Sequence, residues 1–297
     1  MLDLLIPTIA QGLLWSLLAL GVYITFRVLD IADLSVEGTF PIGAAVAATC
    51  ITSGHSLVTA FVLAVLAGCI AGAVTGLLTT KLKIPALLSG ILTMIGLYSI
   101  NLRVMGRANL SLLGQTTIYS WGASAGLTEA QTTLAVGLIA TLLVVAVVYW
   151  FFGTEIGLAL RATGYNPQMS RAQGVNTDSM VILGLLLSNG LVALSGALVG
   201  QSNGCADAGM GVGTIVIGLA SVIIGEVLFG TRSFKNCLIS VVLGSIVYRL
   251  VIAIVLELGM PPNDLKLFTA ILVAIALSLP LIQSKLRAAS RLTGRAS

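Results

Sequence analysis

The sequence predicts an all-α integral membrane protein of about nine transmembrane helices, and three observations carry that reading. Hydrophobic residues make up 57% of the 297-residue chain and charged residues only 9%, against roughly 25% charged in soluble domains. The apolar residues fall in blocks of roughly 18 to 23, the length a helix needs to cross about 30 Å of hydrocarbon. Glycine is abundant at 33 residues, and in apolar helices it allows neighbours to approach closely. A soluble helical core would need polar faces at helical period, and these blocks lack them. The net charge of +4 is small and dispersed, with no basic run interleaved with aromatics, so no nucleic acid is expected as a partner.

The expected spans are Leu5–Phe26, Val36–Ile51, Leu57–Thr80, Pro85–Leu102, Thr132–Phe152, Met180–Gly200, Val212–Gly230, Cys237–Leu256 and Leu267–Leu281. They form one transmembrane domain over residues 1–297. The first block lacks the basic region and cleavage site of a signal peptide and reads as a retained span. Basic residues set the orientation. One side carries Arg27, Lys81, Lys83, Arg161, Arg171, Arg232, Lys235, Lys285, Arg287, Arg291 and Arg295; the other carries Arg103, Arg107 and Lys266. Eleven against three makes the first side cytoplasmic, with the N-terminus outside and the C-terminus inside a bacterial cytoplasmic membrane.

Chemistry of the catalytic or metal-binding kind finds no footing. Cys50, Cys69, Cys205 and Cys237 form no Cys-x-x-Cys pair, so neither a disulfide framework nor a metal site is expected. The single histidine, His55, lies in a short turn without companions. No Ser/His/Asp or Cys/His arrangement can be assembled, and the chain is not expected to be an enzyme.

Two segments echo each other. Gly38-Thr39-Phe40-Pro41-Ile42-Gly43-Ala44-Ala45 and Gly213-Thr214-Ile215-Val216-Ile217-Gly218-Leu219-Ala220 agree at five of eight positions. Each begins a span, the second and the seventh, and the five spans between them would make them enter from opposite sides. That is the pattern of an inverted repeat, here spans 1–4 against 6–9, with a solute path near the pseudo-symmetry axis. Polar groups within spans are costly in lipid and turn to the interior or to water. The path candidates are therefore Glu37, Gly38, Thr39 and Phe40, their counterparts Gly213 and Thr214, Met94, Tyr98 and Asn101 on the fourth span, and Ser188 and Asn189 on the sixth. The bland readings stand beside these. Glu37 could sit at the interface or pair with Arg27, Ser188 and Asn189 could bond a neighbouring helix, and Tyr98 could be an interface anchor. Glu226 and Arg249 read as structural or gating charges.

The connection from Gly153 to Asp178 carries the most local signal. Gly164 reads as a glycine stop of one short helix. Asn166 followed by Pro167 is an N-cap with proline at the first helical position, and Gly174 closes the second helix. Two capped helices form a knob bearing Arg161 and Arg171, suited to docking on a partner.

The stretch GLALRATGYNPQMSRAQGVNT within this connection resembles the coupling loop of the branched-chain amino acid and ribose permease family of ABC importers. DLSVEGTFPIGAA (33–45), KLKIPALLSGILTMIGLYSINLRVMG (81–106) and GLASVIIGE (218–226) resemble the branch assigned to tryptophan/tyrosine transport. The resemblance implies a type II importer-like fold and alternating access. Its implied partners are two cytoplasmic ATPase subunits, an extracytoplasmic solute-binding protein and a second permease copy, all at the membrane lipid. It also implies that 153–178 is a coupling loop, with Arg161, Ala162, Gly164, Asn166, Pro167, Met169, Arg171 and Gly174 fitting a cleft on the ATPase. The chain itself has no Gly-x-x-x-x-Gly-Lys phosphate loop, so it needs no cofactor and ATP-Mg belongs on the partner. An ion-coupled secondary transporter is the alternative, which would use Glu37 or Glu226 to carry a proton.

Overall fold

The computed structural model describes residues 2–124, 126–259, 267–271, 274 and 278. The helices are α1 (Leu2–Tyr23), continued by a π-helical turn (Ile24–Val28), α2 (Val36–Thr52), α3 (Leu57–Thr80) and α4 (Ala86–Met105). There follow α5 (Ser120–Ser124), α6 (Glu129–Phe152), α7 (Glu155–Tyr165), α8 (Pro167–Ala172), α9 (Thr177–Ser202), α10 (Thr214–Phe229) and α11 (Phe234–Glu257). Strands β1 (Asn109–Ser111) and β2 (Cys205–Asp207) pair antiparallel, Asn109 opposite Asp207. Neither the strands nor α5 was expected from hydropathy, because three-residue ribbons leave no periodic signal.

Among the described residues six helices are long and apolar enough to cross a membrane: α1 with its π turn, α3, α4, α6, α9 and α11. Two more, α2 and α10, are apolar but shorter. These eight lie where the first eight spans were expected. The ninth, Leu267–Leu281, falls largely outside the described residues, as do Lys266 and the Lys285–Arg295 cluster.

Of the six long helices α1 and α9 are the most enclosed, and hydroxyls hold them together. Ser188 donates to the Gly21 carbonyl at 2.7 Å and Ser195 to Leu14 at 2.8 Å. Ser245 of α11 donates to Gly12 at 2.9 Å, and Thr141 of α6 to Leu13 at 3.1 Å. Apolar surface gains little by leaving lipid for protein, so such bonds and close van der Waals contact carry the packing. Close contact is most evident between α2 and α9. A Cβ on Gly196 would lie 2.0 Å from the Phe40 carbonyl oxygen, and one on Gly43 2.0 Å from that of Ala193. Only glycine lets these backbones touch.

The register fixes where the short helices begin. Ser35 lies opposite Asn189, Phe40 opposite Gly196 and Ala44 opposite Gly200. So α2 runs parallel to α9 and starts at the middle of that 26-residue helix. It then heads toward the face bearing the β1–β2 ribbon. Helix α10 runs alongside α1, with Gly218 against Leu18 and Val22 and Glu226 against Arg27. It too starts partway through and heads for the opposite face, where α7 and α8 lie. The non-helical stretches leading into both helices double back among protein, where their backbone groups can find partners away from lipid.

Substituting Gly196→Leu is expected to cost roughly 1–3 kcal/mol or more by overpacking. Gly96→Ala, where an added Cβ meets nothing within 4 Å, should be tolerated or stabilise by roughly 0.5–1 kcal/mol. Thermal melting of the detergent-solubilised protein reads both. Equal melting for Gly196→Leu and wild type would contradict the close α2–α9 contact.

Candidate translocation and coupling sites

The two echoing segments meet in space. Gly213 adopts a left-handed conformation (φ 87°) as the N-cap of α10, and its N–H donates to Glu37 Oε1 at 3.0 Å. Glu37 sits in the first turn of α2. One carboxylate therefore lies at two helix N-termini, whose exposed amides carry partial positive charge that an anion offsets. A Cβ on Gly211 would fall 1.9 Å from the Glu37 carbonyl, so the approach of the two segments is as tight as backbone allows. Glu37 does not pair with Arg27. Arg27 Nε donates to Glu226 Oε1 at 2.9 Å, and its Nη2 reaches Glu226 Oε2, joining the π turn after α1 to the far end of α10.

Beside this junction lies a second polar node. Asp33 Oδ1 accepts the Ser35 N–H at 2.9 Å, while Oδ2 accepts Asn189 Nδ2 at 2.8 Å. Ser35 Oγ donates to Asn189 Oδ1 at 3.2 Å, and Asn189 Nδ2 also reaches the Leu185 carbonyl at 3.0 Å. All three residues are buried. Asp33 was not singled out from sequence, since its neighbours in the chain look like an ordinary interfacial turn. Asn189 was, and it gathers the chain just before α2 rather than merely bonding a neighbouring helix, while Ser188 bonds α1.

The remaining candidates divide. Gly38, Thr39 and Phe40 are buried in the first turns of α2, and Thr214 in that of α10. Asn101 is buried and donates through Nδ2 to the Gly38 carbonyl at 3.3 Å, and among the described residues its own Oδ1 has no partner. Met94 also packs against Gly38. Tyr98, by contrast, is half exposed on the outer side of α4, as an interface anchor would be, and does not join the group. Trp15, overlooked in the sequence, stacks on Phe40 with ring centroids 5.1 Å apart.

The 153–178 connection folds as two helices against the body. Asn166 Oδ1 accepts the Met169 N–H at 3.0 Å with Pro167 at the first position of α8, and Gly174 follows α8 at φ 84°. Gly164 differs from expectation. It lies inside α7 rather than stopping it, and a Cβ there would lie 1.8 Å from the Val28 carbonyl. Its small size matters, not a left-handed backbone. The two arginines are exposed, and each also has a partner on the body. Arg161 lies over the Phe234 ring at 4.7 Å, and Arg171 Nε donates to Thr177 Oγ1 at 2.6 Å with Asp178 at 3.5 Å. Tyr165 is nearly bare at 94% exposed, with Met169 beside it at 52%. Ala162 is half-buried on α7. A cavity of 820 Å³ opens between α7–α8, the π turn and the α10–α11 connection, with Arg27, Arg161, Arg232, Tyr165 and Phe234 among its walls.

The family of branched-chain amino acid transport system permease components matches residues 4–277. The chain belongs to this family. It is therefore a multi-pass membrane permease of the ABC type, a family whose members work with ATPase and solute-binding partners. A tyrosine transport system permease protein of Clostridioides difficile is 41% identical over 269 residues, covering 91% of this chain and 88% of the relative. A Rickettsia prowazekii protein is 34% identical over 281 residues, covering 93% and 98%. The galactofuranose transporter permease of Escherichia coli is 29% identical over 272 residues, covering 88% and 75%. Among solved structures, an inward-facing ABC transporter of metal-chelate type aligns with a TM-score of 0.53 at 16% identity, over 95% of this chain and 85% of that one. That likeness speaks to the fold alone.

In this permease, removing the Asn189 amide should leave the Asp33 carboxylate with a single donor. Asn189→Ala is expected to cost roughly 1–3 kcal/mol or more for a buried acceptor left short, whereas Tyr98→Ala should leave stability within about 0.5 kcal/mol. Melting temperature in detergent compares the two. A silent Asn189→Ala would show that Asp33 does not depend on it.

Proposed function

We propose that the chain is the membrane-spanning subunit of an ATP-driven importer for a small solute, with an aromatic amino acid favoured. The observation that carries the importer reading is the α7–α8 knob: two capped helices seated on the body, presenting a nearly bare tyrosine. Tyrosine and methionine at an exposed tip suit burial in a cleft of a partner, since large amphipathic side chains dominate interface energetics. On this reading α7 and α8 face the cytoplasm and couple to an ATPase. The basic residues support that orientation. Among the described residues Arg27, Lys81, Lys83, Arg161, Arg171, Arg232 and Lys235 lie toward that face, while Arg103 and Arg107 lie toward the ribbon. The N-terminus then lies outside, and the membrane is the bacterial cytoplasmic membrane.

The meeting of Glu37 and Gly213 supports the inverted repeat, since α2 and α10 start together and run opposite ways. Half-length helices starting mid-membrane are a common way to build a solute path. A solute-binding protein would deliver its cargo at the ribbon face, and a second permease copy would complete the path. The aromatic solute rests on the tyrosine transport relative and on the Trp15–Phe40 pair beside the junction.

Affinity purification of the tagged permease from its native membrane, with mass spectrometry and an ATPase assay, tests this. An ATPase should accompany the wild type and be lost from a variant carrying Tyr165→Ala and Met169→Glu. Because Arg161 and Arg171 are held by the body, changing them singly to glutamine should weaken the association less than the tip variant does. Absence of any ATPase under gentle detergent conditions would overturn the reading.

A further inference from the structure

We infer that Arg249, held on the face of Trp15, is a receptor for the carboxylate of the solute in transit. The inference rests on the importer reading above and extends it to the chemistry the path selects.

Arg249 lies well inside α11, eight residues before its end at Glu257. Its guanidinium carbon sits 4.2 Å from the centre of the Trp15 ring. Among the described residues no carboxylate approaches it, and its Nε has no hydrogen-bond partner. An arginine within a membrane helix is costly by about 2.5–3.5 kcal/mol at the centre. Attraction to an indole face returns about 0.5–2 kcal/mol, and it satisfies no N–H. A purely structural strut would be cheaper as methionine or leucine. What a guanidinium offers, and those side chains do not, is a planar fork for an oxyanion.

Its surroundings suit a ligand and not a protein partner on this chain. Trp15 stacks on Phe40, and Phe40 is one helical turn beyond Glu37. Among the described residues Glu37 meets no cation within 4 Å, and it spends one oxygen on Gly213. Arg249 thus lies on the aromatic pair and Glu37 one turn before it along α2, and among the described residues no ion pair joins the two charges. Trp15, Glu37 and Arg249 are each half-buried, with Arg249 Nε itself buried, and Val212 beside the junction is 66% exposed. A solute with one carboxylate, an ammonium group and an apolar side chain complements it: the carboxylate on Arg249, the side chain along the aromatic pair, the positive end toward Glu37. That is an α-amino acid. A neutral sugar would leave the guanidinium unsatisfied, and a dianion would meet Glu37.

The chain has three tryptophans, so Trp121→Phe with Trp150→Phe leaves Trp15 as the permease's sole tryptophan in the permease–ATPase complex in nanodiscs, and the same complex carrying Trp15→Phe gives the ATPase background to subtract. Trp15 emission, excited at 295 nm, is titrated with L-tyrosine and with tyramine, which differ only in the carboxylate. The expected result is a response to L-tyrosine at concentrations at least roughly tenfold below those for tyramine. Arg249→Gln should abolish that preference and Arg249→Lys should keep part of it. Equal responses to the two probes, or none to either, in a complex that retains its ATPase would overturn the inference and leave the importer reading standing. Loss of the ATPase from wild type would instead sink the importer reading. If Arg249→Gln splits a permease dimer, measured by native mass spectrometry, Arg249 pairs with a second copy and the inference fails.

Discussion

One carboxylate lets two helices begin in the middle of the protein. A helix start leaves several N–H groups without partners, and inside an apolar slab nothing else supplies acceptors. Here α2 and α10 start side by side, so their positive ends would repel if left bare. Glu37 sits in the first turn of one and bonds the N-cap of the other. Its position at both termini explains why the approach can be so close that Gly211 touches the Glu37 carbonyl. Because the helices then depart toward opposite faces, the centre of the molecule contains two ends rather than two continuous rods. Helix ends can change partners with small backbone shifts, which an unbroken helix cannot do. The proposed path draws on that property.

The Asp33 node fixes the other side of the same junction. Asp33 and Ser35 precede α2, and Asn189 marks the midpoint of α9. Two donors reach the carboxylate, which spares it the larger cost of an unpaired buried charge. The node sets the height at which α2 starts, and the glycine contacts at Gly43 and Gly196 then carry that register along the helix. A shift of α2 by one turn would set these glycines out of phase with the Ala193 and Phe40 carbonyls and place side chains there instead. Junction and node together define the level of the middle of the molecule, with no membrane needed to mark it.

Much of this was legible in the sequence, and the parts that were not share a cause. Spans announce themselves by length and apolarity, so the eight apolar helices that the structure describes lie where hydropathy placed them. The Asn166–Pro167 cap was legible because capping is local. Glu37 drew notice beside Gly38 and Thr39, but its partner is 176 residues away, and proximity in sequence suggested Arg27 instead. Asp33 and Trp15 went unremarked for the same reason: their meaning comes from α9 and α2, elements distant in the chain. Gly164 shows the converse error. A glycine near a helix end suggested a left-handed stop, while the structure uses its missing side chain to admit the Val28 carbonyl. A sequence carries a glycine's two uses, conformational freedom and small size, under one letter.

On the proposed reading, the connections around the knob say how a push there would travel. Helix α7 touches the end of α1 where Gly164 admits Val28, and Arg161 lies on Phe234 at the start of α11. Arg27, one residue before Val28, is bound to Glu226 near the end of α10. Displacement of α7 therefore bears on α1, α10 and α11 at once, by backbone contact, stacking and an ion pair. Of these, the backbone contact at Val28 is the stiffest, because nothing in it can rotate away. The ion pair is the most adjustable, since Arg27 is half exposed and its side chain can lengthen or turn. Helix α10 can then lag behind α1 or follow it, depending on whether Arg27 keeps Glu226. The other end of α10 is held by Glu37. A helix tied by one carboxylate at each end, to α2 at its start and to α1 at its finish, has the connections needed to pass a movement of the knob to the junction at mid-depth.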